Sequence, residues 1–257
     1  MDHGESRRPE KRRRRRRVAL CVAAVLLLLI IVAVVLGVTL SKETNQFQSV
    51  FFSRCEKFKG HDCQKIWEAF QQAYVNQDPC DIPMEAYDPL ITAAPFKPTC
   101  NRMMFWSKTK DVVHEFTEKR DCFVTLEDTL LGSVLDGLTW CGKEGSSETF
   151  TTDCPGWTDC KNNTVRSFWN RVSAAVSHEQ GFIFGSIEVK GLNATRVKSL
   201  NVVLVTDEKN VTNCTNASLK DLQKELAEGI KYNCKEVPDT QIQECGSNPQ
   251  KPCGSCW

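Results

Sequence analysis

Leu200-Asn201-Val202-Val203-Leu204-Val205-Thr206, then Ser218 through Ile230, then Lys231-Tyr232-Asn233-Cys234-Lys235-Glu236-Val237, is the stretch that decides the fold. The first run is a buried strand, because its apolar residues are β-branched or aliphatic and nearly continuous. The second is a helix, with Ser218 as cap and Asp221 three positions on. Its apolar face is Leu219, Leu222, Leu226 and Ile230. The third reads as a strand again. Strand, helix, strand at this spacing predicts a right-handed parallel crossover and hence a small α/β lobe.

Upstream, Phe182–Val189 reads as another strand, and Val165, Phe168, Trp169, Val172 and Val176 mark a helix. Earlier still the pattern is helical throughout. Ile66, Trp67, Phe70 and Tyr74 share one face of a helix starting near Asp62. Val112, Val113 and Phe116 do the same in 108–119, and Leu126, Leu130, Leu131 and Val134 in 125–136. Pro79, Pro83, Pro89, Pro95 and Pro98 interrupt the chain between helices. The expected class is α+β: an N-terminal transmembrane helix, a disulfide-tied helical lobe over about 55–140, and an α/β lobe with a short parallel sheet over about 160–257. A ligand cleft is expected between the lobes or at the carboxyl ends of the strands.

The membrane helix is read from Val18–Leu40, an uncharged apolar run directly after Arg12-Arg13-Arg14-Arg15-Arg16-Arg17. About 20 apolar residues cross the hydrocarbon core. The basic tail, 1–17, stays cytoplasmic and 18–40 is an uncleaved anchor, since the run is longer than a signal-peptide core. A polar stem, 41–54, then leads to an ectodomain, 55–257. This is a single-pass type II arrangement at the plasma membrane, with the C-terminal part extracellular. The 33 basic and 32 acidic residues nearly cancel, but nine of the basic ones precede the anchor. The ectodomain is therefore net acidic and not a nucleic-acid binder.

Fourteen cysteines fit an exported chain. Cys21 lies in the anchor, and thirteen lie between Cys55 and Cys256. In an oxidising compartment that density reads as a disulfide framework. Zinc is the weaker reading, because Cys253-Gly254-Ser255-Cys256 stands alone without suitable histidines. No metal site is expected. Sequons at Asn162, Asn193, Asn210, Asn213 and Asn216 all fall beyond the anchor and predict a glycoprotein.

No Ser/His/Asp arrangement, HExxH, P-loop or GxGxxG is present, and there are four histidines. Chemistry falls to carboxylates and aromatics. Glu127 and Asp128 sit inside an apolar helical segment, and Asp136 near its end. Trp106 and Trp169 stand among apolar residues, and Glu188 lies in a strand of apolar neighbours. Tryptophans in such settings are mostly core, and a strand glutamate mostly alternates outward.

The segments Cys100-Asn101 through Trp106-Ser107, Thr125-Leu126-Glu127-Asp128-Thr129-Leu130-Leu131-Gly132, Leu138-Thr139-Trp140-Cys141, Ser167-Phe168-Trp169 and Phe184-Gly185-Ser186-Ile187-Glu188-Val189 resemble the ADP-ribosyl cyclase / cyclic ADP-ribose hydrolase family. The likeness runs from about Cys55 to Cys253. It implies cleavage of the nicotinamide–ribose bond of NAD to ADP-ribose and cyclic ADP-ribose, hydrolysis of cyclic ADP-ribose, and base exchange on NADP, hence a part in calcium-messenger metabolism. NAD and NADP enter as substrates, with no cofactor. By position, Glu188 matches the catalytic glutamate, and Trp106 and Trp169 the aromatics that hold the substrate. Glu127 and Asp136 match the acids that grip the nicotinamide amide, Ser173 a serine near the ribose phosphates, Phe184 a substrate-binding position, and Cys100 a second catalytic position of the family.

The resemblance also implies disulfides Cys55–Cys63, Cys80–Cys160, Cys141–Cys154, Cys214–Cys234 and Cys245–Cys253. Cys100, Cys122 and Cys256 are left over, which leaves room for a disulfide-linked homodimer. Only ten residues separate Ser173 from Phe184, where family members carry a longer stretch with a strand, a loop and the partner of Cys100. Ile183 stands where the family has a phosphate-binding threonine. The alternative is therefore a catalytically weak receptor or adhesion protein of the same fold.

Overall fold

The computed structural model describes residues 22, 25–32, 46–96, 102–106, 109–180, 194, 197–206 and 213–257. The chain forms two units, Met1–Phe47 and Gln48–Trp257. In the first, Val22 and 25–32 are helical with exposed apolar side chains. Among the described residues no helix is long and apolar enough to cross a membrane. The rest of the expected span 18–40 lies outside the described residues.

The larger unit starts upstream of the expected boundary at 55. Residues 46–55 are helical (α1) rather than a polar stem. Phe51 is fully buried, its ring 4.9 Å from Trp67 and 5.6 Å from Phe70. Helix α2 (Cys63–Gln72) begins at Asp62, whose side chain accepts from Lys65 N–H at 3.0 Å. It buries Ile66, Trp67, Ala69 and Phe70, and Tyr74 just beyond its end is buried as well. A 3₁₀ turn (Met84–Tyr87) and α3 (Asp88–Ala93) pack beside it. Helix α6 (Thr164–Gln180) closes this layer. Its Phe168 ring meets Tyr87 at 5.5 Å and Trp140 at 5.3 Å. One contiguous aromatic core thus runs Phe51–Phe70–Trp140–Phe168. It places α6 with the helical core, although the sequence assigns that segment to the α/β lobe.

Tyr74 and Tyr87 are fully buried in this core. Tyr74 Oη lies 2.9 Å from Thr149 Oγ1. Tyr87 O–H donates to the Thr164 carbonyl and accepts from Trp140 Nε1–H at 3.2 Å. Burial pushes both phenols well above their ordinary value. The folded chain therefore holds two protons that the unfolded chain releases above about pH 10. This stability is fully present below that pH and falls as pH rises, by about 1.4 kcal/mol per pH unit per tyrosine. The denaturant midpoint is expected to drop between pH 9 and 11. Replacing both tyrosines by Phe should flatten that drop, and an equal drop in the double variant would refute the assignment.

Among the described residues the small sheet has two strands, β1 (Ser199–Thr206) and β2 (Lys231–Pro238), paired in parallel from Ser199↔Lys231 to Thr206↔Pro238. Helix α7 (Ala217–Lys224) connects them. Its cap is Asn216, not Ser218: the Asn216 carboxamide oxygen accepts from Leu219 N–H at 2.9 Å, and Ser218 Oγ donates to the same oxygen. The helix ends at Lys224, short of the expected Ile230. The turn that follows passes through Gly229 at φ +90° and still delivers Leu226 and Ile230 to the core of Val197, Leu200, Val202 and Leu222. The expected strand Phe182–Val189 lies outside the described residues.

Helix α8 (Asp239–Gly246) packs against α4 (Lys110–Lys119). Their shared core is Phe116, Val237, Ile242, Cys245 and Cys256, bordered by Phe123 and Trp257. Arg120, at the end of α4, is buried, and its guanidinium donates to the carbonyls of Cys245, Asn248 and Lys251. That clamp corrects one expected disulfide. Cys245 pairs with Cys256, not Cys253, and Cys253 pairs with Cys122, at Cα separations of 5.5 and 6.5 Å. The other described bridges are Cys55–Cys63, Cys80–Cys160, Cys141–Cys154 and Cys214–Cys234. Cys122 and Cys256 are thus used within the chain, which removes two of the three cysteines behind the homodimer expectation. Cys100 lies outside the described residues.

Candidate functional site

The site grows from two extended segments that meet side by side. Arg102–Met104 pairs with Val124: Met104 N–H donates to the Val124 carbonyl and Val124 N–H to the Arg102 carbonyl. One strand-like segment leads directly to Trp106 and the other to Thr125. Thr125 is fully buried and opens a 3₁₀ turn, Leu126–Asp128. Asp128 Oδ2 accepts from Thr125 N–H at 2.6 Å and from Thr125 O–H at 3.0 Å, a reciprocal cap that sets the turn. Thr129 then caps α5 (Leu130–Leu135) through Gly132 N–H. The sequence pattern reads as one helix over 125–136. Two threonine caps break it into a turn and a helix.

The break aims Glu127 at Trp106. The indole Nε1–H donates to Glu127 Oε2 at 3.2 Å. Glu127 is well buried, its side chain 11% exposed. Gly132 makes the turn sterically possible, since a Cβ there would lie 1.8 Å from the Leu126 carbonyl oxygen. Asp136 follows α5, and Lys110 Nζ lies 3.3 Å from its Oδ1. The same ammonium sits 5.9 Å over the Trp106 ring. Lys110 therefore links Asp136 to the Trp106–Glu127 pair. Arg54 of α1 fixes the end of α5: its Nη1 donates to the carbonyls of Ser133, Val134 and Asp136 at 3.3, 3.2 and 2.7 Å. These are the orphan carbonyls of a helix end, satisfied here by a guanidinium.

Trp106, Glu127 and Asp136 are thus brought together. Trp169 and Ser173 lie one turn apart on α6. Trp169 is half-buried, edge-on to Phe168 at 5.1 Å, and Ser173 is buried. Glu188 and Phe184 lie outside the described residues. Sequence reasoning missed Lys110, His114 and Arg54. Lys110 and His114 were within reach of it: they sit four apart on α4, a quarter-turn off the Val113/Phe116 face. Arg54 had no such signal, because its partners are backbone carbonyls some 80 residues away.

An open groove of about 530 Å³ between α2 and α3, lined by Lys65, Glu68, Gln72, Asp88 and Thr92, shares no residue with this cluster. Among the described residues no group of three or more metal-ligating side chains occurs. Of the sequons, Asn213 is exposed and Asn216 half-exposed. A glycan on the Asn216 nitrogen leaves the oxygen that caps α7 free to do so. Asn162 is half-buried, and Asn193 and Asn210 lie outside the described residues.

The model of the family "ADP-ribosyl cyclase" matches residues 44–181 and 177–254, two pieces that meet at 177–181. The ADP-ribosyl cyclase/cyclic ADP-ribose hydrolase 1 of Rattus norvegicus is 28% identical over 240 residues, covering 81% of this chain and 79% of that protein. The human ADP-ribosyl cyclase/cyclic ADP-ribose hydrolase 2 is 27% identical, covering 80% and 74%. Porcine CD38 in complex with a covalent intermediate, ribo-F-ribose-5'-phosphate, superposes with TM-score 0.65 at 32% identity, covering 75% of this chain and 96% of that one. With its aromatic–carboxylate cluster, its disulfides and a family match over nearly all of 44–254, this chain belongs to the ADP-ribosyl cyclase family.

Proposed function

We propose that this chain is an ectoenzyme that cleaves the nicotinamide–ribose bond of NAD, giving ADP-ribose and cyclic ADP-ribose, and that it hydrolyses cyclic ADP-ribose. The observation that carries this reading is the Trp106–Glu127 hydrogen bond, with Asp136 joined through Lys110, in a chain of this family. A flat indole beside two carboxylates suits a nicotinamide ring whose carboxamide N–H groups need acceptors.

Loss of nicotinamide leaves an oxocarbenium-like ribose, and Glu188 is assigned to stabilise that charge or bond to it briefly. Nicotinamide is cationic while attached, so it leaves without a strong general acid. Water attack then yields ADP-ribose, and attack by the folded-back adenine yields the cyclic product. Trp169 is assigned to the second aromatic wall and Ser173 to the phosphates. NADP is a further substrate, and no cofactor takes part. The arginine tail, the apolar run 18–40 and the sequons support a glycosylated type II plasma-membrane protein.

The test is nicotinamide release from NAD by the full chain, with both ribose products quantified. Turnover supports the enzyme reading, and none from a folded sample rejects it. Trp106→Phe keeps an aromatic face but removes the N–H that holds Glu127. KM for NAD should rise by about tenfold, the worth of a hydrogen bond to a charged acceptor. An unchanged KM would separate the indole from substrate binding. The second reading, a catalytically weak receptor of the same fold, is favoured by one observation: the family match breaks into two pieces at 177–181, next to the short interval before Phe184.

A further inference from the structure

We infer that His114 is a positioning residue for Glu127, one whose imidazole Nε2 holds that carboxylate against the Trp106 indole. The inference rests on the reading of Glu127 as a grip on the substrate carboxamide.

His114 lies on α4, one turn after Lys110, with its ring edge-on to Trp106 at 5.9 Å. Its Nε2 is buried, has no hydrogen-bond partner and stands 3.8 Å from Glu127 Oε2. A buried polar atom without a partner is uncommon and calls for an explanation. At this distance a small closing movement lets Nε2–H donate to the carboxylate, a hydrogen bond strengthened by the acceptor's charge. Oε2 is then held between two N–H donors, indole and imidazole, and Oε1 is left to the substrate.

The other charged groups nearby are already engaged or turned elsewhere. Lys110 is paired with Asp136, and the Asp128 carboxylate is taken by Thr125. On its own helix, Asp111 and Glu118 lie about a turn away. Helix α8, which carries Asp239 and Glu244, meets α4 through the Phe116 face.

The test measures KM and kcat for NAD on the full chain in detergent. His114→Phe removes the donor and is expected to raise KM about threefold with kcat unchanged, the worth of one modest hydrogen bond. His114→Gln keeps an N–H donor and should restore the wild-type KM. A KM of wild-type size in His114→Phe overturns the proposal. An independent reading is the Trp106 indole N–H resonance, assigned by its absence in Trp106→Phe. It should move in His114→Phe and stay near its wild-type position in His114→Gln. If the wild type turns over no NAD, the functional reading fails, yet the indole resonance still decides the positioning. An indole resonance unchanged in His114→Phe overturns the inference.

Discussion

Glu188→Gln is expected to lower nicotinamide release from NAD by at least about a hundredfold, the usual cost of removing one group that faces developing charge. The substitution keeps size and hydrogen-bonding reach but takes away the negative charge. An oxocarbenium-like ribose draws its stabilisation from that charge, and a carboxamide cannot bond to the anomeric carbon as a nucleophile can. NAD binding should survive, because the assigned binding groups, Trp106, Glu127 and Asp136, are untouched. The measurement is single-turnover nicotinamide release beside NAD affinity. Full turnover in Glu188→Gln would remove the catalytic assignment and shift it to another carboxylate. The block Gly185-Ser186-Ile187-Glu188-Val189 is the basis for choosing this residue.

The second large effect is expected at Gly132. A methyl group there would meet the Leu126 carbonyl oxygen at 1.8 Å, its carbon at 2.5 Å and Glu127 Cα at 3.0 Å. All three are backbone atoms and no rotamer relieves the overlap. Either α5 or the Thr125–Asp128 turn must move, and the turn is held by the Asp128 cap at 2.6 Å. Gly132→Ala is expected to cost about 3 kcal/mol, the upper end for overpacking. In a domain of this size that lowers Tm by about 6–12 °C. It should also weaken NAD binding, since the atoms displaced carry Glu127. A Tm within 2 °C of the wild type would mean that the close approach is dispensable.

Much of the local structure is legible in the chain. The strand at Leu200–Thr206, the helix after Asp62 and the parallel pairing with Lys231–Val237 follow from periodicity and cap chemistry. These are short-range effects, set by side chains within a few positions of one another. Where two caps compete, legibility fades. Asn216 and Ser218 are both good cap residues, and the backbone conformation at Asn216 (φ −60°, ψ 159°) chose the first. The 125–136 segment has a helical apolar pattern, but Thr125 and Thr129 each satisfy a helix start. Only the packed geometry breaks it into turn and helix.

The sequence by itself determined the class of the protein and the oxidised cysteine framework, because composition, period and motif are local properties of the chain. Tertiary structure decided what depends on distance between remote residues. Arg120 draws the 245–251 segment onto the end of α4, so that Cys253 meets Cys122 and Cys256 turns back to Cys245. Arg54 reaches the end of α5, and Lys110 and His114 join Trp106 and Glu127. A disulfide, a guanidinium clamp and an indole–carboxylate hydrogen bond each require atoms within a few ångströms, and no one-dimensional spacing sets that separation.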